Sequence, residues 1–69
     1  MDKFLFEYEM KKAGYLTSES RAEAMGIKPS AYYRRLNGEC ECTQAEIGKV
    51  AEILGQDLTW QIFFGQQVS

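Results

Sequence analysis

Residues 18–38 read SESRAEAMGIKPSAYYRRLNG, and this stretch decides the fold. Ala22 stands four residues before Gly26, and Ile27 follows that glycine directly. Two helices that cross steeply need a small side chain where they meet and a backbone able to take positive φ at the corner. Ala22 and Gly26 supply both. Pro29 suits the first turn of a second helix, where its missing N–H costs nothing, and Asn37-Gly38 is a fitting stop. The stretch is expected to form a helix, a tight turn and a second helix. Within that second helix Tyr32 and Leu36 make an inward i,i+4 pair. Ser30, Tyr33, Arg34 and Asn37 then project from the opposite side, with Ala31 and Arg35 on a flank.

Downstream, Thr43-Gln-Ala-Glu46 has the form of a capping box. The threonine hydroxyl accepts the Glu46 N–H, and the Glu46 carboxylate returns to the Thr43 N–H. Cys42 and Ile47 stand where a hydrophobic staple packs. Ile47, Val50, Ala51 and Leu54 follow at helical spacing, with Glu46, Lys49 and Glu52 outside and Gly55 as the stop. Residues 57–64, DLTWQIFF, make a last short helix that is apolar almost all round. Leu58 and Ile62 form one face, Trp60 and Phe64 another, with Phe63 between them. A helix without a polar face needs cover on both sides. The core takes one side, and the first helix or a second subunit takes the other. The tail Gly65–Ser69 is expected to fray.

Upstream, residues 3–13 contain no helix breaker and close on Gly14. Phe6, Met10 and Ala13 share the face assigned to the core, while Phe4, Leu5 and Tyr8 lie roughly opposite. That second face is left to the C-terminal tail or to a partner. Thr17 is the expected N-cap of the next helix, whose inner stripe is Ser18, Arg21, Ala22 and Met25. Arg21 is the odd member. Its stem can cover apolar surface while the guanidinium reaches water or a carboxylate, or the head can touch a phosphate.

Composition sets the bounds. Sixty-nine residues make one domain, 1–69, with the helix-turn-helix at 18–38. A chain this short buries about 60% of its unfolded surface, so the core is small. No apolar run approaches the roughly 20 residues of a membrane span, and the N-terminus lacks a signal-peptide pattern, which points to the cytoplasm. Net charge is −2, with a pI near 5.0. The charge is unevenly spread. Arg21, Lys28, Arg34 and Arg35 against Glu23 give residues 21–37 a balance of +3, which leaves −5 on the rest.

Catalysis and metal binding find little footing. There is no histidine, the commonest general base, and no Gly-rich phosphate loop. Zinc needs four ligands, and Cys40-Glu-Cys42 offers two thiols and no imidazole. A disulfide between positions two apart would be badly strained. Cys42 is read as packing and Cys40 as a free thiol. The expectation is a non-enzymatic protein with no cofactor, no metal and no small-molecule substrate.

Taken together, A22-x-x-M25-G26-I27-K28-P29-S30-A31-Y32-Y33-R34-R35-L36-N37-G38, then T43-Q44-A45-E46-I47 and L54-G55, resembles the phage repressor/Cro-type (lambda repressor-like) helix-turn-helix family, particularly short prophage regulators. The likeness spans roughly residues 5–64. It implies an all-α, compact bundle of about five short helices that binds double-stranded operator DNA, usually as a homodimer. By position, the resemblance places Ser18 and Asn37 at phosphates and Lys28, Ser30 and Arg34 where the family reads bases or touches backbone, with Tyr33 beside them; Ser30, Tyr33 and Arg34 are taken as the base readers, and Ser18, Lys28, Arg35 and Asn37 as the phosphate contacts. Pro29 falls among them. Arg21 departs from the family, which carries an aliphatic residue there; many members also carry one at Arg35.

The chemistry of the residues agrees with that assignment. Arg34 presents a planar fork that matches the O6 and N7 acceptors of guanine. Lys28, in the turn, suits a phosphate, and Arg35 suits either a phosphate or an internal ion pair. One such unit covers few base pairs, so a dimer is expected, with half-sites about 34 Å apart. Trp60, Phe63 and Phe64 are the candidate interface. The competing reading is a protein-interaction module, antitoxin- or antirepressor-like, that grips a partner through the apolar C-terminal helix.

Overall fold

Among the described residues, five helices follow one another: α1 (Lys3–Lys12), α2 (Ser18–Met25), α3 (Pro29–Leu36), α4 (Gln44–Leu54) and α5 (Gln56–Phe64). They come from a computed structural model that describes residues 1–65. Residues 66–69, on which most of the expected frayed tail falls, lie outside the described part. The all-α bundle expected from the sequence is the fold found. No described helix is long and apolar enough to cross a membrane.

Side chains close the helix starts. Asp2 accepts the Leu5 N–H at 3.1 Å at the head of α1. Thr17 caps α2 as expected, and Ser20 completes a reciprocal box with it. The Thr43–Glu46 box of α4 forms with 3.2 and 3.3 Å hydrogen bonds. Backbone closes the other ends of α1, α2 and α3 in one pattern. In α2 the Ile27 N–H donates to Ala22 C=O and the Gly26 N–H to Glu23 C=O, both at 3.0 Å. This is the paired bonding of a Schellman motif. It recurs at Gly14-Tyr15 and at Gly38-Glu39.

The motif needs a left-handed residue at its glycine, and Gly26 has φ +75°. A Cβ there would also meet the Lys49 Cε at 3.1 Å. Gly26→Ala is therefore expected to destabilise the domain by about 1–2 kcal/mol, read as a lower urea midpoint at unchanged slope. An unshifted midpoint would show that the turn tolerates a side chain.

All five helices feed one core. Phe6, Met10, Ala22, Met25, Tyr32, Val50 and Ile62 are buried, with Leu36, Ile27, Leu54 and Phe63 packed around them. Helix α2 packs on α3 and α4, α4 on α5, and α5 on α1. The last contact is sealed by the Asp2 N–H, which donates to the Ile62 carbonyl at 2.8 Å. One side of α5 is thus covered by α1, as its apolar pattern requires.

Two expected placements, one inside and one outside, are corrected. Ala13 is exposed, because α1 ends at Lys12 and Ala13 forms its cap beyond the core. Glu46, expected outside, is buried, for a reason that lies in the site described next. Thr59, to which no role was given, is also buried, and its hydroxyl donates to the Gly55 carbonyl at 2.7 Å.

Candidate nucleic-acid interface

Helix α3 carries the residues of interest, and two arginines hold it. Arg21, on the inner stripe of α2, is only 4% exposed. Its Nε donates to the Tyr32 hydroxyl at 2.9 Å and its Nη1 to the Tyr15 carbonyl at 2.9 Å. Its Nη2 donates to Ser18 Oγ at 3.4 Å and lies 3.8 Å from Glu7. The head stays inside instead of reaching water, so Arg21 is a buried joint between α1, α2 and α3. Burial raises the Tyr32 phenol above its ordinary pKa, against the lowering effect of the Arg21 hydrogen bond.

The second joint ties α3 to α4. Arg35 Nε donates to Glu46 Oε1 at 2.7 Å and Nη2 to Oε2 at 3.1 Å. This forked pairing is the strong form of the carboxylate–guanidinium contact. Of the two roles open to Arg35, the ion pair is the one realised. Glu46 engages Nε and one Nη2 hydrogen, which leaves the three other N–H donors of the guanidinium without a partner among the described residues. The same contact explains the burial of Glu46, whose carboxylate serves both its cap and Arg35.

Arg35's hydrogen bond holds the Glu46 carboxyl below its ordinary pKa, helped by the Thr43 N–H. A depressed folded pKa gives stability that is complete above the unfolded value of about 4.3 and lost as pH falls through the folded one. Glu46→Gln is expected to flatten that acid limb, measured by urea unfolding between neutral pH and pH about 3. If wild type and variant fall in parallel, the pair carries no such linkage.

With Tyr32 fixed inward, the opposite face of α3 is presented to solvent. Ser30, Arg34 and Asn37 are exposed. Tyr33 is 49% exposed, with its ring edge-on to Tyr32 at 5.6 Å. Lys28 is exposed at the N-cap of α3 and makes no side-chain cap there. Among the described residues, the Arg34 side chain has no hydrogen bond or ion pair, while its carbonyl closes the helix by accepting the Glu39 N–H at 2.9 Å. Ser18 is half-buried; its oxygen accepts from Arg21, which leaves its own hydroxyl hydrogen to donate elsewhere.

The local charge differs from the count along the chain. Arg21 is buried beside Glu7 and Arg35 is paired with Glu46, so Lys28 and Arg34 carry the exposed positive charge of this face. A residue given no role adds to the neighbourhood. Lys49 of α4 lays its side chain against the Gly26 turn, where its charge complements the carbonyl end of α2. Nothing local in the sequence signals this, since it depends on how α2 and α4 cross.

The expected interface residues divide. Trp60 is 65% exposed and stacks obliquely on Phe64 at 4.6 Å. Phe63 and Phe64 are half-buried. Trp60 and Phe64 wall a groove of about 500 Å³ whose floor includes Ile47, Gly48 and Ala51 of α4. Just before α4, Cys42 is half-buried and burial pushes its thiol up to about 11. That is the behaviour of a packing residue. Cys40 is exposed.

Comparison with protein-family models, with curated proteins and with solved structures gave no match for this chain.

Proposed function

We propose that the protein is a sequence-specific, double-stranded-DNA-binding transcriptional regulator of the repressor/Cro kind, acting in the cytoplasm and laying α3 in the major groove. One observation carries the reading. Ser30, Tyr33, Arg34 and Asn37 share the outward face of a helix whose other side is pinned by Tyr32. Arg34 is the base reader, seconded by Ser30 and Tyr33. Lys28, Ser18 and Asn37 contact phosphate.

Size favours the homodimer that an operator of two half-sites calls for. The described residues span 31 × 25 × 20 Å. Those dimensions are compatible with two copies reading half-sites about 34 Å apart, one DNA turn. The exposed Trp60 beside its groove also supports the second reading, a protein-interaction module of antitoxin or antirepressor type working through α5.

Labelled DNA from the protein's own upstream region, titrated at two salt concentrations against random duplex, separates the two. The regulator binds its site tightly, with affinity falling as salt rises. If no fragment competes better than random duplex, the DNA reading fails and the α5 reading takes its place.

A further inference from the structure

The solvent face of α1 carries an arrangement that the DNA reading leaves unused. Phe4 and Tyr8, one turn apart, are 75% and 58% exposed. Lys11 and Lys12 flank them at helical spacing, Lys3 adjoins Phe4, and all three lysines are exposed. An ammonium sits over each ring: Lys3 Nζ lies 5.5 Å from the Phe4 centroid and Lys12 Nζ 5.0 Å from that of Tyr8. The acidic residues of the segment are occupied nearby. Asp2 caps the helix, Glu7 meets Arg21, and Glu9 folds onto Lys12 at 3.7 Å with its side chain 14% exposed. Lys12 is thus shared between Glu9 and the Tyr8 ring, while Lys3 and Lys11 have no acidic partner among the described residues, and an aromatic strip with two uncompensated ammoniums stands on a chain of net charge −2.

We propose that this strip docks an acidic amphipathic helix of a partner protein. Its apolar side chains cover Phe4 and Tyr8 while its carboxylates meet Lys3, Lys11 and Lys12. Charge complementarity selects an acidic partner. The lysines over the rings select protein over nucleic acid, because bases stack on open aromatic faces. A phosphate backbone likewise gains nothing from burying the Phe4 phenyl, which has no hydrogen-bonding group. A bilayer draws in a broad apolar face, and this helix turns Phe6 and Met10 to the core, leaving two rings outside. The inference stands apart from the DNA reading, since it uses a different helix and none of the α3 residues.

The test titrates the isotope-labelled full chain with a synthetic helical peptide that has one leucine face and one glutamate face. A copy with glutamine for glutamate, vesicles rich in phosphatidylserine, and random duplex DNA run alongside. Amide resonances of residues 3–12 shift with the glutamate peptide, and affinity drops about tenfold for the glutamine copy. It drops about tenfold or more in Phe4→Ser combined with Tyr8→Ser, at unchanged circular dichroism and melting. Should that pair unfold, Lys11→Gln with Lys12→Gln gives the same readout. Unshifted α1 resonances, equal binding of both peptides, or a stronger α1 response to vesicles or duplex overturns the proposal.

Discussion

Arg21→Ala is expected to destabilise the domain by about 3 kcal/mol, the largest stability loss of any single change considered. Two losses add. The buried Tyr32 hydroxyl is left without its partner, which costs roughly 1–3 kcal/mol. The arginine stem also leaves a void beneath the crossing of α1, α2 and α3. A single core in a chain this small supplies only roughly 3–5 kcal/mol, so much of the population unfolds at room temperature. Tyr32→Phe is expected to be nearly as harmful, because it strands the guanidinium Nε instead. Replacing both, Arg21→Met with Tyr32→Phe, removes donor and acceptor together and is expected to recover most of the loss. Urea unfolding of wild type, Arg21→Met, Tyr32→Phe and the double variant gives the coupling directly. A double variant as unstable as the sum of the singles would refute the pairing.

Arg34→Ala is expected to weaken binding to the specific site about 10- to 100-fold, matching the roughly 1–3 kcal/mol of a bidentate guanine contact. Stability should stay close to wild type, since the side chain is exposed and touches no described partner. Binding to random duplex should change far less, because discrimination resides in base edges and general affinity in phosphates. Lys28→Ala supplies the contrast: a uniform loss on all sequences and a salt slope shallower by about one. A loss in Arg34→Ala that is equal on specific and random DNA would make Arg34 a phosphate contact and remove it from the reading face.

The parts of this protein legible in its sequence are those settled within a few residues. The Ala22–Gly26 corner, the Pro29 start, the Thr43–Glu46 box and the outward side of α3 all depend on i, i+3 and i+4 relations. What stayed open was which roles and partners the two arginines take, since these depend on pairs eleven residues apart, Arg21 with Tyr32 and Arg35 with Glu46. A charge count along the chain treats all four basic residues between 21 and 37 as equally available. Folding removes two of them. The same blindness put Glu46 outside, because a capping box alone leaves its glutamate facing water, and only Arg35 draws it in. Ala13 was misplaced for a smaller reason: a helix one residue shorter than its pattern drops its last apolar position out of the core.

The two arginine joints bear on how firmly α3 is aimed. Apolar contacts pull surfaces together without choosing an angle, and a helix seated on them alone can roll or slide. Hydrogen bonds fall off steeply with direction as well as length. Here one such bond fixes α3 from the α2 side, at Tyr32, and a forked pair fixes it from the α4 side, at Arg35. Two directional fastenings, about one turn apart on the same short rod, restrain both its tilt and its rotation about its own axis. The direction in which α3 presents the Arg34 position to solvent is thereby set by the fold itself.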